Sequence, residues 1–267
     1  MTEAEQVENW SEGQLPGIEF IDFRLRVGSH EVIRSATLAF EPGAVTGLLG
    51  PTGSGKTSLL RAIVGLEHFT GVVTRRSGDV RIGGLDIVRT RSDLRRLRSR
   101  VVMIPSAGAP FSFSVFDNVA AALREQCKNR AELRQRVSET LERCGLGDVP
   151  AGKPALALGH GQRRFLCVAR ALALRPAALL LDEPFDGLDP FESSRMEQLI
   201  ASLAGRHTVV LATQHTERAA AVCSRMHLLI GGELVESGTT SQMLASPKDR
   251  RTEAYLSGRP AVASVES

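Results

Sequence analysis

Two stretches alternate apolar and polar residues, Ile18 to Val27 and Val32 to Phe40, and predict antiparallel strands joined by a turn at Gly28-Ser29. A third, Gly78 to Ile87, predicts another member of that group with a Gly83-Gly84 turn. Val45 to Leu49 and Ala177 to Leu181 are instead continuous apolar runs, the pattern of parallel strands buried on both faces. Between and after them, helical periodicity predicts helices over 58–66, 162–174, 191–204 and 216–224, with strands over 177–182, 208–213 and 226–230. Leu133, Val137 and Leu141 recur at helical spacing behind the N-cap Asn129, and Gly145 stops that helix. Strands alternating with helices imply a parallel sheet with right-handed crossovers.

Residues 50 to 57 turn this outline into chemistry. Gly50-Pro51-Thr52-Gly53-Ser54-Gly55-Lys56-Thr57 follows the Val45 strand and opens a helix at Ser58, the context a GxxxxGK(S/T) phosphate loop requires. Its glycines let backbone N–H groups face the phosphates, Lys56 can reach the β and γ oxygens, and the Thr57 hydroxyl can ligate Mg²⁺. The Ala177 run ends in Asp182-Glu183, where a carboxylate is needed: Asp182 to hold Mg²⁺ through water, Glu183 to polarise an attacking water. The fold class that follows is α/β, a P-loop NTPase.

Leu158-Gly159-His160-Gly161-Gln162 precedes Asp182 and Gly187-Leu188-Asp189-Pro190 follows it. With these the chain resembles, over about residues 17 to 260, the ATP-binding subunits of ABC transporters, whose signature loop reads LSGGQ and whose D-loop reads Ser/Ala-Leu-Asp-Pro. No guanine-reading Asn/Thr-Lys-x-Asp is present, against a GTPase. Pro110-Phe111-Ser112-Phe113-Ser114-Val115-Phe116-Asp117-Asn118-Val119, Gly232 to Gly238 and the tail Pro247 to Tyr255 are similar to the phosphate-importer ATPases in particular.

The resemblance implies a RecA-like nucleotide-binding core over 16–105 and 158–257, an N-terminal antiparallel β region, a helical subdomain over 106–157, and loose tails at 1–15 and 258–267. It implies ATP and Mg²⁺ as ligands, with Gly50 to Ser58 on the nucleotide and the Gly159 to Gln162 loop and Asp189 completing the site of a second ATP-binding subunit, identical or different. Transmembrane permease subunits are the further partners, and the chain is expected at the cytoplasmic face of the membrane. A soluble ATPase acting on DNA or ribosomes is the reading set aside, on the PFSFSVFDNV segment.

At four positions the chain departs from the family pattern. Ser106 stands where a Gln coordinates Mg²⁺ and senses the permease, and is too short to do so directly. Gly159 and His160 replace Ser and Gly of the signature; the imidazole can donate to phosphate or obstruct closure, and loss of close approach favours obstruction. Gln214 takes the place of the switch His and keeps an amide donor without a proton relay, while strand alternation sends His215 to the other side unless the strand has ended. Val27 stands where an aromatic stacks on adenine; Arg24 or Arg26 could substitute, although solvated arginines on an edge strand explain them as well. Since phosphoryl transfer depends on positioning, these losses predict slow hydrolysis and keep open an alternative, a weakly hydrolysing regulatory or asymmetric partner of an active paralogue.

Composition changes little. A hydrophobic share of 42% with mean hydropathy of −0.05 fits a water-soluble α/β protein, and no run approaches the ~18 apolar residues of a membrane span. The acidic, polar stretch Met1 to Ser11 does not resemble a signal peptide. Cys127, Cys144, Cys167 and Cys223 lack metal or CxxC spacing and are expected as free thiols. The charge of +3 calls for no nucleic-acid partner, and Arg89, Arg91, Arg95, Arg96, Arg98 and Arg100, without interleaved aromatics, read as the solvated face of a short helix.

Overall fold

The computed structural model describes residues 15–66, 73–86 and 91–258, apart from the side chains of residues 91–93. Arg89, Ile87 and nearly all of both predicted tails lie outside the described residues.

The alternating segments form β1 (Ile18–Val27) and β2 (His30–Phe40), antiparallel about Gly28, whose φ of 60° suits a turn glycine. β4 (Thr74–Ile82) pairs antiparallel with the other side of β1, and β5 (Leu85–Asp86) with β4. β1 is therefore an inner strand, not the edge strand expected for Arg24 and Arg26. Both arginines are nevertheless exposed, because alternation puts Phe23 and Leu25 into the core and the arginines outside.

The continuous apolar runs become β3 (Val45–Leu49), β7 (Ala178–Asp182) and β8 (Thr208–Thr213), buried at every position. With β6 (Val101–Ile104), β9 (Arg225–Ile230) and β10 (Glu233–Thr239) they complete one ten-stranded sheet, ordered β5-β4-β1-β2-β10-β9-β3-β8-β7-β6. β9, β3, β8, β7 and β6 are mutually parallel, and the crossovers run through helices.

Alternation along the buried strands divides the core in two. Leu179, Leu181, Val209 and Leu211 face one cluster; Ala178, Leu180, Val210 and Ala212 face the other. The second cluster holds α1 (Lys56–Ile63) and the aromatic side of β1 and β2, where Phe20 meets Phe23 edge-on at 5.1 Å. The first holds α3 (Val115–Leu123), α4 (Arg130–Arg143), α5 (His160–Ala173), α6 (Pro190–Ala201) and α7 (Thr216–Val222). α4 starts at the Asn129 cap, which accepts the Glu132 N–H. Val115, Val119, Val137 and Leu141 of α3 and α4 join the same apolar cluster as the sheet. Ser114 and Pro154 bridge the two ends of the segment carrying them.

α2 (Arg91–Arg100) bears the described part of the arginine cluster, and both Arg98 and Arg100, whose Nε is buried, depart from the expected solvated face. Arg98 donates to the Val64 carbonyl at 2.9 Å and the Gly65 carbonyl at 2.8 Å, capping the C-terminal end of α1, where a cation is favoured. The four cysteines are free, and burial pushes Cys144 and Cys223 up to about 12, so these two are inert at neutral pH. After β10 the chain closes with α8 (Thr240–Ala245) and α9 (Arg250–Leu256).

His227 of β9 is a buried polar group with both ring nitrogens engaged: Nε2 donates to the Ala39 carbonyl at 3.0 Å and Nδ1 accepts from Ser237 at 2.8 Å. Burial lowers its pKa from 6.5 to about 4. The native state thus binds fewer protons than the unfolded chain between those values, and stability is lost as pH falls through that window. The shift corresponds to about 3 kcal/mol. His227→Gln should show a smaller drop in melting temperature between neutral pH and the acid end of the window than the parent; calorimetry at both pH values checks this.

Candidate functional site

The strand before the phosphate loop ends at Leu49, and the loop then turns through positive φ at Gly50 (152°), Gly53 (80°) and Gly55 (105°). Space also requires glycine. A β-carbon on Gly50 would lie 2.1 Å from the Leu229 carbonyl, and one on Gly55 2.5 Å from Ile33 Cδ1. Gly53 has nothing within 4 Å of such a carbon, so the loop is open at its crest, where a phosphate must approach.

Lys56 opens α1 and returns under its own loop. Its buried ammonium donates to the Gly50 carbonyl at 2.7 Å and the Pro51 carbonyl at 3.2 Å, and pairs with Glu183 Oε1 at 3.2 Å. Next along, the Thr57 hydroxyl lies 3.0 Å from both oxygens of Asp182. Burial pushes the Asp182 carboxyl above its ordinary value against hydrogen bonds from Thr57 and the Ser106 amide. Hydroxyl and carboxylate oxygens converging at a buried strand end are the hard donors Mg²⁺ prefers, so the residues fit that ion. Ser106 thus joins the site through its backbone, while its side chain is as short as the sequence implied. Ser54 Oγ in the same loop is buried without a partner, beside Gly50 on the side that packs against Leu229.

Glu183 has a left-handed backbone, φ 46°, costly for a residue with a β-carbon, on the order of 1–3 kcal/mol. The surroundings enforce it. Its N–H donates to the Ala212 carbonyl at 2.8 Å, its Oε2 accepts the Gln214 N–H at 3.1 Å, and Lys56 holds Oε1. Gln214 is also tied to the phosphate loop, its Oε1 accepting the Thr52 hydroxyl at 3.2 Å.

His215 does not turn away. β8 ends at Thr213, so alternation no longer governs, and His215 caps α7 with Nε2 3.3 Å from Asp186 Oδ1. Its ring nitrogen and the carboxylates of Glu183 and Asp186 lie within 4.8 Å of one another.

The structure brings Gly50 to Thr57, Asp182, Glu183, Gln214 and the Ser106 backbone together, with Ser58 the third residue of α1. Val27 stands apart at the β1–β2 turn, and Gly159 to Gln162 stand apart at the start of α5. There Gly159 caps the helix, its N–H donating to Gln162 Oε1 at 3.3 Å. Asp189 caps α6, accepting the Glu192 N–H at 2.7 Å. The two caps touch: a β-carbon on Gly161 would meet the Glu192 carboxylate at 2.0 Å, and one on Gly187 would lie 2.6 Å from His160 Cε1. His160 therefore occupies space that Gly187 leaves open. The signal was present in the sequence, since Gly187 stands where the family D-loop has Ser or Ala, a fifth departure that the first four obscured. Asp186 and Tyr255 were also missed, because their links to His215 and Gln214 cross from one element to another.

A family profile described as ABC transporter matches residues 33–186. The phosphate import ATP-binding protein PstB 2 of Listeria monocytogenes is 36% identical over 242 residues, 89% of each chain. The protein of that name from Lactobacillus acidophilus is 35% identical, over 89% of this chain and 96% of its own. Among solved structures, cbiO1 of Clostridium perfringens, part of the ABC transporter complex cbiONQ, superposes with a TM-score of 0.74 at 23% identity, covering 90% of this chain and 94% of the other. A bacterial Atm1-family ABC exporter superposes at 0.76 and 20% identity, covering 92% and 42% respectively, so this fold serves exporters as well. With the phosphate loop, the Asp182-Glu183 strand end and the two capping loops in place, the chain belongs to the ABC transporter family as an ATP-binding subunit, an ATPase of the P-loop α/β fold.

Proposed function

We propose that this ATPase drives an importer of the phosphate type, closing over Mg²⁺-ATP against a second ATP-binding subunit and transmitting that closure to a membrane permease. The observation that carries the ATPase part is the convergence of Lys56, Thr57, Asp182, Glu183 and Gln214 at one loop. Phosphate as the solute rests on the relatives' names and on the likeness of the Pro110 and Pro247 segments.

ATP phosphates would settle on the loop amides, with Lys56 facing the β and γ oxygens and exchanging Glu183 for them. Glu183, released from that ion pair, is placed to take a proton from a water attacking the γ-phosphorus, and the Gln214 amide keeps its carboxylate aimed. Mg²⁺ at Thr57 and Asp182 would neutralise charge on the phosphate oxygens. The second subunit would supply its own Gly159 to Gln162 loop and Asp189 to the open face.

The permease face is supported by a groove of about 580 Å³ between β6 and α5, lined in part by Met103, Ile104, Phe111 and Arg170. Phe111 and Phe113 are 49% and 56% exposed, and Arg170 lies 4.2 Å over the Phe111 ring. Asn118, wholly buried, holds the loop carrying them by accepting the Phe111 N–H at 2.8 Å and donating to the Ser114 carbonyl at 2.9 Å. No helix among the described residues is long and apolar enough to cross a membrane.

Lys56→Ala should abolish ATP retention, and Glu183→Gln should retain ATP while slowing turnover about 100-fold or more, measured by filter binding and phosphate release. Asp182→Asn should weaken magnesium affinity about 10- to 100-fold, read from the Mg²⁺ dependence of nucleotide binding. Reconstituted with its permease in proteoliposomes, the chain should support ATP-dependent phosphate uptake; uptake of another solute with none of phosphate would refute the phosphate assignment.

A further inference from the structure

The one tyrosine of the chain, Tyr255, lies on α9, far in sequence from the phosphate loop, yet its hydroxyl donates to the Gln214 carbonyl at 3.1 Å. The Gly50 backbone and the Thr216 side chain also approach the phenol, and burial raises its pKa, so it stays a neutral donor. The ring stands at a cavity of about 950 Å³ that Pro51, Thr52, Gln214 and His215 also line.

From that contact a further hydrogen bond and an ion pair lead to the nucleotide lysine. Tyr255 holds the Gln214 carbonyl; the Gln214 N–H reaches Glu183 Oε2 at 3.1 Å; Glu183 Oε1 lies 3.2 Å from Lys56 Nζ. A side branch joins the Gln214 side chain to Thr52 at 3.2 Å.

The helix bearing Tyr255 is itself fixed. Glu236 of β10 accepts the Lys248 N–H at 3.0 Å and the Asp249 N–H at 3.1 Å, just ahead of α9. Arg251 joins Asp249 at 2.9 Å and Glu233 of β10 at 3.4 Å, and Thr252 is fully buried. The phenol is therefore anchored from β10, an inner strand of the sheet, as well as through its own contacts at Gly50, Gln214 and Thr216.

We propose that Tyr255 is a positioning residue for hydrolysis: the C-terminal helix pins Gln214 by its carbonyl so that the Gln214 amide aims the Glu183 carboxylate at water. The proposal rests on the reading of Glu183 as the group that activates water. Gln214 is held at its carbonyl by Tyr255, at its backbone N–H by Glu183 and at its side chain by Thr52, and releasing the carbonyl loosens the residue that aims Glu183. The phenol touches the phosphate loop only at the Gly50 backbone, whereas its hold on Gln214 leads directly to Glu183, so turnover is expected to fall more than nucleotide affinity.

Tyr255→Phe removes the hydroxyl and keeps the ring. The expected result is a roughly five- to tenfold fall in kcat with the Kd for Mg²⁺-ATP unchanged within about twofold. The near-ultraviolet difference spectrum of parent minus Tyr255→Phe isolates the sole phenol and should change on adding Mg²⁺-ATP. Unchanged kcat, equal losses of kcat and ATP affinity, or a phenol spectrum indifferent to Mg²⁺-ATP would each overturn the proposal. Glu183→Gln is assayed in parallel. Full turnover in that variant refutes the role of Glu183 itself, whereas an inactive Glu183→Gln beside a fully active Tyr255→Phe refutes the clamp alone.

Discussion

The ammonium of Lys56 is the constraint around which this protein is arranged. A cation with only 5% of its side chain exposed must be surrounded by oxygen, and two of the three oxygens here are carbonyls of its own loop. Presenting them requires the chain to curl tightly, hence the glycines and the close approach of Leu229. The third oxygen belongs to Glu183, which reaches Lys56 only by leaving β7 through a left-handed turn. In the proposed function the ion pair and the phosphates would compete for the same ammonium, and the displaced carboxylate would be the one left facing water.

Much of this was legible in the sequence because it is local. The phosphate loop is contiguous, its helix follows at once, and the apolar run into Asp182 identifies a buried strand by composition alone. The antiparallel pair about Gly28 and the Asn129 helix were equally readable from alternation and capping. What was not readable depended on packing between elements. Nothing in the residues near Arg98 indicates that its guanidinium will cap a helix more than thirty positions earlier. Likewise β1 looks like an edge strand until β4 is known to pair with its second side.

His215 shows how a sound local rule stops applying. Alternation would carry it away from Glu183 if β8 continued, but the strand ends at Thr213 and the cap of α7 redirects the ring towards Asp186. The site thus gathers Gln214 and His215 by different means, the first through its backbone amide and the second through the turn that begins a helix. Catalytic neighbourhoods at the ends of parallel strands are sensitive to such boundaries, because one residue more or less of strand reverses which side chain faces the ligand.

The notch at Gly187 has a consequence for how this chain can diverge. With the imidazole of His160 resting where a methyl group would otherwise stand, the two positions share one volume. A drift to Ala in the second loop evicts the ring, and a drift to Gly in the first leaves a hollow. Because Gly187 also has a φ of 72°, a side chain there is strained whatever stands at 160, so the backbone as well as the shared volume keeps that notch open.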